Sequence, residues 1–258
     1  MKNIPLTSKV RDDFPILKRR INGYPLAYLD NSSTTQKPKI VIDAIVNFYE
    51  NHNSNVSRGV YTLAEEATEI YESGRDSVAK FIRAEGSGEI IFTGGATDSI
   101  NLVAQGWAKT NLKAASQIIV TEMEHHSNLV PWQLATLSSG AEVVYWAKNH
   151  EGRLDLEDLQ ELLNSSVKLL AITAVSNVLG TINSIEEIIK IAHVKGIPVL
   201  VDAAQAVARI PINVSRWDCD FLAFSGHKIY GPNGIGVLYV KKERIEEMTP
   251  IKGGGGMI

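Results

Sequence analysis

The segments V-L-V-D-A-A-Q (199–205) and F-S-G-H-K (224–228) decide the fold that this sequence predicts. Each begins as an apolar strand and turns polar where a strand of a parallel sheet would end. The first supplies a carboxylate and an amide, from Asp202 and Gln205. The second supplies a hydroxyl, an imidazole and an amine, from Ser225, His227 and Lys228. Because ligands of an open α/β sheet bind beyond the carboxyl ends of its strands, these residues predict a binding site there.

An acid and a lysine at neighbouring strand ends are what pyridoxal 5'-phosphate (PLP) requires of a protein. The amine forms a Schiff base with the cofactor, and the acid keeps the pyridine nitrogen protonated so that the ring accepts electrons. Taken alone, Asp202 is also compatible with a helix N-cap and Lys228 with a turn. However, an acid directly after V-L-V is costly unless it is paired or hydrogen-bonded. The two segments together therefore predict the cofactor-binding part of a PLP enzyme.

From residue 89 onward, short apolar runs rich in β-branched residues alternate with helical patterns. This alternation predicts an α/β fold with a mainly parallel sheet and helices on both faces. Only residues 227–234 join the last two strands, so that pair is expected to be antiparallel and the seven-stranded sheet mixed. The expected strands are 90–93, 117–121, 142–146, 169–175, 198–201, 221–224 and 236–240. The expected helices are 40–52, 62–83, 98–109, 128–137, 156–163 and 185–194.

Composition limits the class of protein. With 258 residues, 44% of them hydrophobic and 21% charged, the chain can form one large domain with a sizeable core. A net charge of −3 gives no support to a nucleic-acid partner. The N-terminus lacks the apolar core of a signal peptide, and no apolar run is long enough to span a membrane. We therefore expect a cytoplasmic protein, or a plastid or mitochondrial one after transit-peptide removal.

Three further motifs follow predicted strands. In F-T-G-G-A-T-D-S (92–99), small residues let the backbone approach an anion and Thr97 would add a hydroxyl, although a plain helix N-cap explains the motif equally well. In E-M-E-H-H-S-N (122–128), the flat imidazole of His125 would stack on a flat cofactor ring, and a solvated loop histidine is the alternative. Asn177 follows the fourth strand and by itself is typical of a turn.

The histidine and cysteine residues favour neither a metal site nor a nucleophile. Adjacent side chains of an extended chain point to opposite sides, so His125 and His126 are not expected to share a metal ion. Cys219 is the single cysteine, which excludes an intrachain disulfide framework and fits a reducing compartment. In W-D-C-D-F it lies between two acids, and their charge opposes thiolate formation. We expect no metal, and a structural role for Cys219.

The motifs as a set resemble those of the SUF-system (group II) cysteine desulfurases, relatives of the selenocysteine lyases within the class V aminotransferase group. The resemblance covers nearly the whole sequence and implies the fold of aspartate aminotransferase, a PLP-dependent transferase. Residues 31–258 would then form its large, PLP-binding domain, and residues 1–30 an N-terminal segment. The motifs are D-F-P-I-L, P-L-A-Y-L-D-N, R-G-V-Y-T-L, M-E-H-H-S-N-L-V-P-W, V-S-N-V-L-G-T, V-D-A-A-Q-A-V and D-C-D-F-L-A-F-S-G-H-K-I-Y-G-P-N-G-I-G.

The resemblance also implies a role for each polar residue. Lys228 would hold PLP covalently and then shuttle protons, and Asp202 would pair with the pyridinium nitrogen. His125 would stack on the ring and act in acid–base steps. Gln205 would hydrogen-bond the phenolic oxygen, and Asn177 would lie near that oxygen and the substrate carboxylate. The phosphate would be bound by Thr97, Ser225 and His227, with backbone help at Ala96.

The activity implied by the resemblance is the conversion of L-cysteine to L-alanine. A protein thiolate would take the sulfur as an enzyme persulfide and pass it to a small acceptor protein for iron–sulfur cluster assembly. Such enzymes are usually homodimers with their active sites at the subunit interface. Two alternatives stay open: a selenocysteine lyase or another class V enzyme, and a non-catalytic truncated paralogue that keeps the dimer surface or binds the acceptor.

The sequence departs from the family pattern in several places. The family's nucleophilic cysteine and substrate-binding arginine lie downstream of the glycine loop, which here is I-K-G-G-G-G-M-I at the end of the chain. Four glycines are costly to order, so we expect an N-terminal part without the C-terminal small domain. Ser57 and Tyr61 stand where the family usually has histidines, and Ser32 and Ser33 where it has alanines. We expect this chain alone to bind PLP weakly or not at all and not to desulfurate cysteine.

Overall fold

The computed structural model describes residues 8–56, 59–255 and 257. Two residues of the motif comparison, Ser57 and Arg58, lie outside the described residues. The same holds for residues 1–7 of the expected N-terminal segment and for residues 256 and 258 of the glycine loop.

Seven strands form the main sheet of the described part of the chain, as the sequence predicts. They are short and rich in apolar side chains because most of them are covered by helices on both faces. An antiparallel pair, β1 (Arg20–Ile21) and β2 (Tyr24–Pro25), precedes them. The main strands are β3 (Ile90–Thr93), β4 (Gln117–Thr121), β5 (Glu142–Trp146), β6 (Val167–Thr173), β7 (Val199–Asp202), β8 (Phe221–Ser225) and β9 (Gly236–Val240).

The strand order across the sheet is β3-β9-β8-β7-β6-β4-β5. Strand β9 is antiparallel to both of its neighbours, β3 and β8, whereas the remaining pairs are parallel. The predicted mixed sheet is therefore confirmed, together with its antiparallel last pair. The carboxyl ends of β4, β6, β7 and β8 lie at one edge of the sheet, where the polar motifs begin.

Ten α-helices are found among residues 8–56 and 59–255. The short ones are α1 (Ser8–Asp12), α5 (Ala108–Asn111), α9 (Val214–Trp217) and α10 (Lys242–Ile245). The longer ones are α2 (Lys39–Asn47), α3 (Thr62–Ile82), α4 (Ala96–Gly106), α6 (Val130–Ser139), α7 (Leu156–Leu162) and α8 (Ile185–Val194). No helix in the described ranges is both long and apolar enough to cross a membrane.

Four predicted elements differ from the structure by more than one residue at a boundary. The helix expected over 98–109 is found as α4, Ala96–Gly106, followed by the short α5. The helix expected over 40–52 ends as α2 at Asn47 and continues as a wider π-turn, Phe48–His52. The helix expected over 128–137 is preceded by a single 3₁₀ turn, His126–Asn128, and α6 starts at Val130 with a proline in its first turn, where no N–H is needed. The strand expected over 169–175 ends at Thr173, whose hydroxyl donates to the carbonyl of Val175.

Two apolar clusters cover the two faces of the sheet. On one face, helices α4 and α6 contribute Ile100, Val103 and Trp132, and Trp107 adds to them from the junction of α4 and α5. On the other face, the end of α3 and the buried side of α8 contribute Ile82, Ile185 and Ile189, with Leu159 from α7. Burying each such side chain contributes roughly 1.5–3 kcal/mol. The resulting three-layer core holds the strand ends, and the polar residues on them, in fixed positions.

Candidate functional site

A cavity of about 360 Å³ opens at the carboxyl edge of the sheet. All nine residues that the sequence analysis named as candidates line it, although they come from five separate parts of the chain. Ser32 and Ser33, which replace the alanines of the family pattern, line it as well. The nine candidates are Ala96, Thr97, His125, Asn177, Asp202, Gln205, Ser225, His227 and Lys228.

The end of β7 brings the acid into the cavity. Asp202 is 4% exposed, and its Oδ1 atom accepts a hydrogen bond of 2.9 Å from the Ala204 N–H. Burial raises the pKa of this carboxyl, because it disfavours the charged form more than the Ala204 bond and the nearby Lys228 favour it. Gln205 is also buried and donates from Nε2 to the Ser32 carbonyl at 2.6 Å. A cationic or protonated ligand atom beside Asp202 would therefore stabilise the charged form of this carboxyl.

An anion cradle lies where β8 ends beside the start of α4. The Ser225 hydroxyl accepts a hydrogen bond of 2.8 Å from the Ala96 N–H at the first position of the helix. Gly95, just before it, has φ 153°, which favours glycine. The neighbouring strand residue is Gly236, and a Cβ atom there would come within 2.5 Å of the Gly95 carbonyl carbon. The helix start and the two strand ends thus pack at backbone contact and expose hydroxyl and N–H donors suited to a phosphate.

The lysine sits on a single 3₁₀ turn, Gly226–Lys228, directly after β8. The carbonyl of His227 in this turn accepts from both the N–H and the hydroxyl of Thr35, each at 2.9 Å. Burial lowers the pKa of Lys228, opposed by attraction to Asp202. Burial, followed by the Lys228 charge, likewise lowers the pKa of His227. The lowered pKa leaves more of the Lys228 amine unprotonated, as a nucleophile requires.

His125 precedes the 3₁₀ turn His126–Asn128 and is its N-cap. Its Nδ1 atom accepts a hydrogen bond of 3.1 Å from the Ser127 N–H, and partial burial lowers its pKa. The ring centroids of His125 and His126 are 6.0 Å apart. Within the described ranges, no group of three or more histidine, cysteine or acidic side chains could hold a metal ion.

Glu124 supports the site but was not recognised in the sequence. Its carboxylate accepts hydrogen bonds from the Thr121 hydroxyl at 2.6 Å, the Asn128 amide at 2.6 Å and the Thr173 N–H at 2.8 Å. It thereby connects the end of β4 to the end of β6. Burial raises the pKa of Glu124 to about 8, against the effect of those three donors. Glu124 belongs to the E-M-E-H-H motif, but a single acid in a loop does not predict hydrogen bonds to residues far away in the sequence.

Asn177 lies at the cavity, whereas Cys219 lies away from it. Asn177 follows β6 in a loop closed by the Val175–Ile182 bridge, and it is half-buried at the cavity wall. Cys219 precedes β8 and is fully buried, so it lies at the end of that strand away from the cavity. Burial, followed by the charge of Asp220, raises its pKa. The prediction of a structural, unreactive cysteine agrees with this position.

Comparison with known proteins identifies the family. A model of the aminotransferase class-V family matches residues 27–258. The chain belongs to the aminotransferase class-V family. A cysteine desulfurase of Shigella sonnei is 51% identical over 250 residues, which are 97% of this chain and 62% of that relative. The chain thus spans less than two thirds of the length of this relative.

Two solved structures have the same fold as this chain. The apo cysteine desulfurase of Thermococcus onnurineus superposes with a TM-score of 0.91 at 40% identity, covering 99% of this chain and 62% of that one. A protein called SspA, solved in complex with cysteine, gives a TM-score of 0.83 at 32% identity, covering 90% of this chain and 66% of that one. Both structures therefore support the predicted α/β fold over nearly all of this chain.

Class V aminotransferases and cysteine desulfurases are PLP enzymes. The residues of this cavity fit that cofactor on three observations. Asp202 is a buried acid that faces the cavity and forms no ion pair with a lysine or arginine among the described residues. A primary amine of lowered pKa stands near it at Lys228. A cradle of small residues and hydroxyl donors lies at the start of α4, suited to a phosphate.

Proposed function

We propose that this chain is the cofactor-binding part of a PLP-dependent cysteine desulfurase, with residues 31–258 as its large domain. The observation that carries the proposal is the meeting of Asp202 and Lys228 in one cavity beside the anion cradle. The half-identical desulfurase relative and the neighbour solved with cysteine support L-cysteine as the substrate. L-Alanine and protein-bound sulfur would be the products.

The residues of the cavity divide the work of holding the cofactor. Thr97 and Ser225 would bind the phosphate at the start of α4, with His227 beside them and the Ala96 N–H orienting the Ser225 hydroxyl. Asp202 would accept a hydrogen bond from the protonated pyridine nitrogen, which compensates the burial of its charge. Gln205 has a second Nε2 proton, beyond the one given to Ser32, for the phenolic oxygen.

The chemistry needs a proton carrier as well as a binding site. When bound, PLP supplies an electron sink that stabilises negative charge at the α-carbon of an amino acid. Lys228 Nζ, with its lowered pKa, would take the proton from that carbon and return it. His125 would cover the face of the ring and hold a proton at Nε2, because its Nδ1 accepts from Ser127. Asn177 would orient the substrate carboxylate from the cavity wall.

The thiolate that takes the sulfur is not supplied by Cys219, which is buried and of raised pKa. We therefore place the nucleophile outside these 258 residues. We also propose that the whole protein is a cytoplasmic homodimer. Its sulfur would pass to an acceptor protein of the SUF type for iron–sulfur cluster assembly.

Borohydride reduction in the presence of PLP, followed by peptide mass mapping, tests the cofactor site. At saturating PLP, where reduction traps even weakly bound cofactor, we expect a pyridoxyl adduct on Lys228 and its loss in Lys228→Ala. Lys37 is the matched control, since burial lowers the pKa of this lysine too and its Nζ lies 3.2 Å from the His227 carbonyl. An adduct spread equally over both lysines, or found on neither in a folded chain, would contradict the proposed site.

A further inference from the structure

Three side chains form a hydrogen-bond chain from the anion cradle to the histidine. The hydroxyls of Thr97 and Ser127 are 2.7 Å apart, and the Ser127 hydroxyl lies 2.9 Å from Nδ1 of His125. Thr97 belongs to α4, whereas the other two belong to the loop after β4. Ser127 also lines the cavity.

The direction of this chain follows from one backbone donor. The Ser127 N–H points at Nδ1 of His125 from 3.1 Å, so Nδ1 is an acceptor and the neutral ring carries its proton on Nε2. The contact between the Ser127 hydroxyl and Nδ1 is then a hydrogen bond only if the hydroxyl donates. Because a hydroxyl has one proton, Ser127 must accept from Thr97 in the other contact.

An anion in the cradle reverses this order. An unprotonated oxygen of phosphate or sulfate accepts hydrogen bonds only, so Thr97 can donate to it only by turning its proton away from Ser127. The Ser127 hydroxyl then has a free acceptor 2.7 Å away, at Thr97 Oγ1, and turns its own proton there. His125 Nδ1 keeps the backbone N–H but loses the hydroxyl. No covalent bond changes, because both steps are rotations about C–O bonds.

We propose that Ser127 is a positioning residue that couples anion binding at Thr97 to the proton affinity of His125. With the cradle empty of anions, the Ser127 hydroxyl occupies Nδ1 and opposes protonation there. With a phosphate bound, Nδ1 is relieved of that donor and the imidazole becomes a better base. The inference rests on the proposed function, because it takes Thr97 as a phosphate ligand.

Other charged groups also affect the proton affinity of His125. Because they are the same in the unmodified protein and in a Ser127 variant, their effects cancel when the two are compared. Its ring is faced by Lys228 and His126, whose charges oppose protonation, and by Asp202, whose charge favours it. A bound phosphate would add a direct attraction to the imidazolium. His126, the neighbouring ring at 6.0 Å outside the hydrogen-bond chain, reports that direct effect.

The test follows the ring signals of His125 and His126 by NMR through a pH titration of the full 258-residue chain without cofactor. Ser127→Ala removes the hydroxyl that links Thr97 to Nδ1, and with it the part of the His125 response to an anion that passes through this hydroxyl. Saturating inorganic sulfate, a phosphate mimic without protons, should therefore raise the proton affinity of His125 by about fivefold less in the variant than in the unmodified protein. Ser127→Thr keeps the hydroxyl and should restore the response.

Equal responses of His125 to sulfate in the unmodified protein and in Ser127→Ala would overturn the proposal. A titration with sulfate that leaves the Thr97 amide signal unmoved would overturn it too. The borohydride adduct on Lys228 does not need the Ser127 hydroxyl. An adduct without the histidine response therefore removes this inference alone, whereas a missing adduct removes the proposed function.

Discussion

The buried carboxyl of Asp202, which serves the binding site, lowers the stability of the cofactor-free fold. Burial raises the pKa of this carboxyl, so the folded chain without cofactor holds its charge at a disadvantage. Stability from such a group is present below its unfolded pKa and is lost as the pH rises through the higher folded pKa. At neutral pH, the unmodified protein therefore carries a penalty that an uncharged side chain of the same shape would not.

Asp202→Asn should separate stability from cofactor binding. The amide oxygen can still accept from the Ala204 N–H, so we expect the cofactor-free variant to unfold about 2–4 °C higher at neutral pH. The gain should vanish in acid, where Asp202 itself is protonated. Without a carboxylate for the pyridine nitrogen, the affinity for PLP should fall roughly 10- to 100-fold. Thermal scans at two pH values and a PLP titration would measure both, and a less stable variant would contradict this account.

The sequence could predict residues such as Asp202 and Lys228 because a strand end is a local pattern. It could not predict the contacts of Ser127 or Glu124, because these depend on partners brought close only by the fold. Thr97 is 30 residues from Ser127 in the chain, and Thr173 is 49 residues from Glu124. Cavity residues at strand ends were thus accessible to sequence reasoning, whereas Ser127 in the cavity wall and Glu124 behind it were not.

At the scale of elements, strand β9 sets how closely the anion cradle packs. Its first residue, Gly236, pairs with Thr93 of β3 on one side and with Ser225 of β8 on the other. The backbone of Gly95 crosses directly above it, leaving no room for a Cβ atom. The two strands that border the cradle, β3 and β8, therefore both pair with Gly236.

Gly236→Ala should displace the cradle. The added methyl group meets backbone rather than a flexible side chain, so we expect a loss of roughly 1–3 kcal/mol in unfolding free energy. Affinity for PLP should fall further than affinity for pyridoxal, which lacks the phosphate. The comparison of the two ligands by fluorescence titration decides whether the effect is local to the cradle. Equal losses for both would place the damage elsewhere.

Gly74→Ala is the matched control, because it makes the same substitution where nothing lies within 4 Å of the new methyl group. Gly74 is inside α3, and alanine there should stabilise the helix by about 0.5–1 kcal/mol. Its effect on the binding of either ligand should be nil. Opposite signs for the two glycine variants would show that close packing, not the substitution itself, is responsible.

Element boundaries show where local patterns fail. The β1–β2 pair was not predicted, although its turn, Asn22-Gly23, is a favoured hairpin sequence and both residues have positive φ. Two-residue strands contain no alternation from which to predict them. The helix expected over 98–109 instead begins at Ala96 and ends at Gly106, with Trp107 buried before the short α5 begins. The sequence showed its apolar side but not where tertiary packing breaks it.

On the scale of the whole molecule, a charged network fastens the edge of the sheet opposite the cavity. Asp220 is 1% exposed and accepts from His193 Nε2 at 2.9 Å, the Val199 N–H at 2.8 Å and Arg244 Nε at 2.7 Å. Burial alone would raise the pKa of Asp220, but these donors outweigh it and lower the pKa. Arg244 continues to Glu247, which accepts from Trp107 of the opposite layer. The carboxylate of Asp220 thus connects helix α8, the sheet and the segment after β9.

This network should make the stability of the molecule depend on pH. The hydrogen bond to Asp220, with the attraction of Asp218 added, raises the pKa of His193 above 6.5. A raised histidine pKa stabilises the fold fully below 6.5, and that stability is lost as the pH rises through the folded pKa. Between about pH 6 and pH 9, the unmodified protein should therefore lose about 1 kcal/mol more unfolding free energy than His193→Gln, which keeps a neutral donor.

Urea unfolding at each pH measures this difference. The control is His150→Gln, in an exposed loop, which should lose as much unfolding free energy over this pH range as the unmodified protein. Parallel pH profiles for the unmodified protein and His193→Gln would mean that the charge of His193 does not hold these layers together.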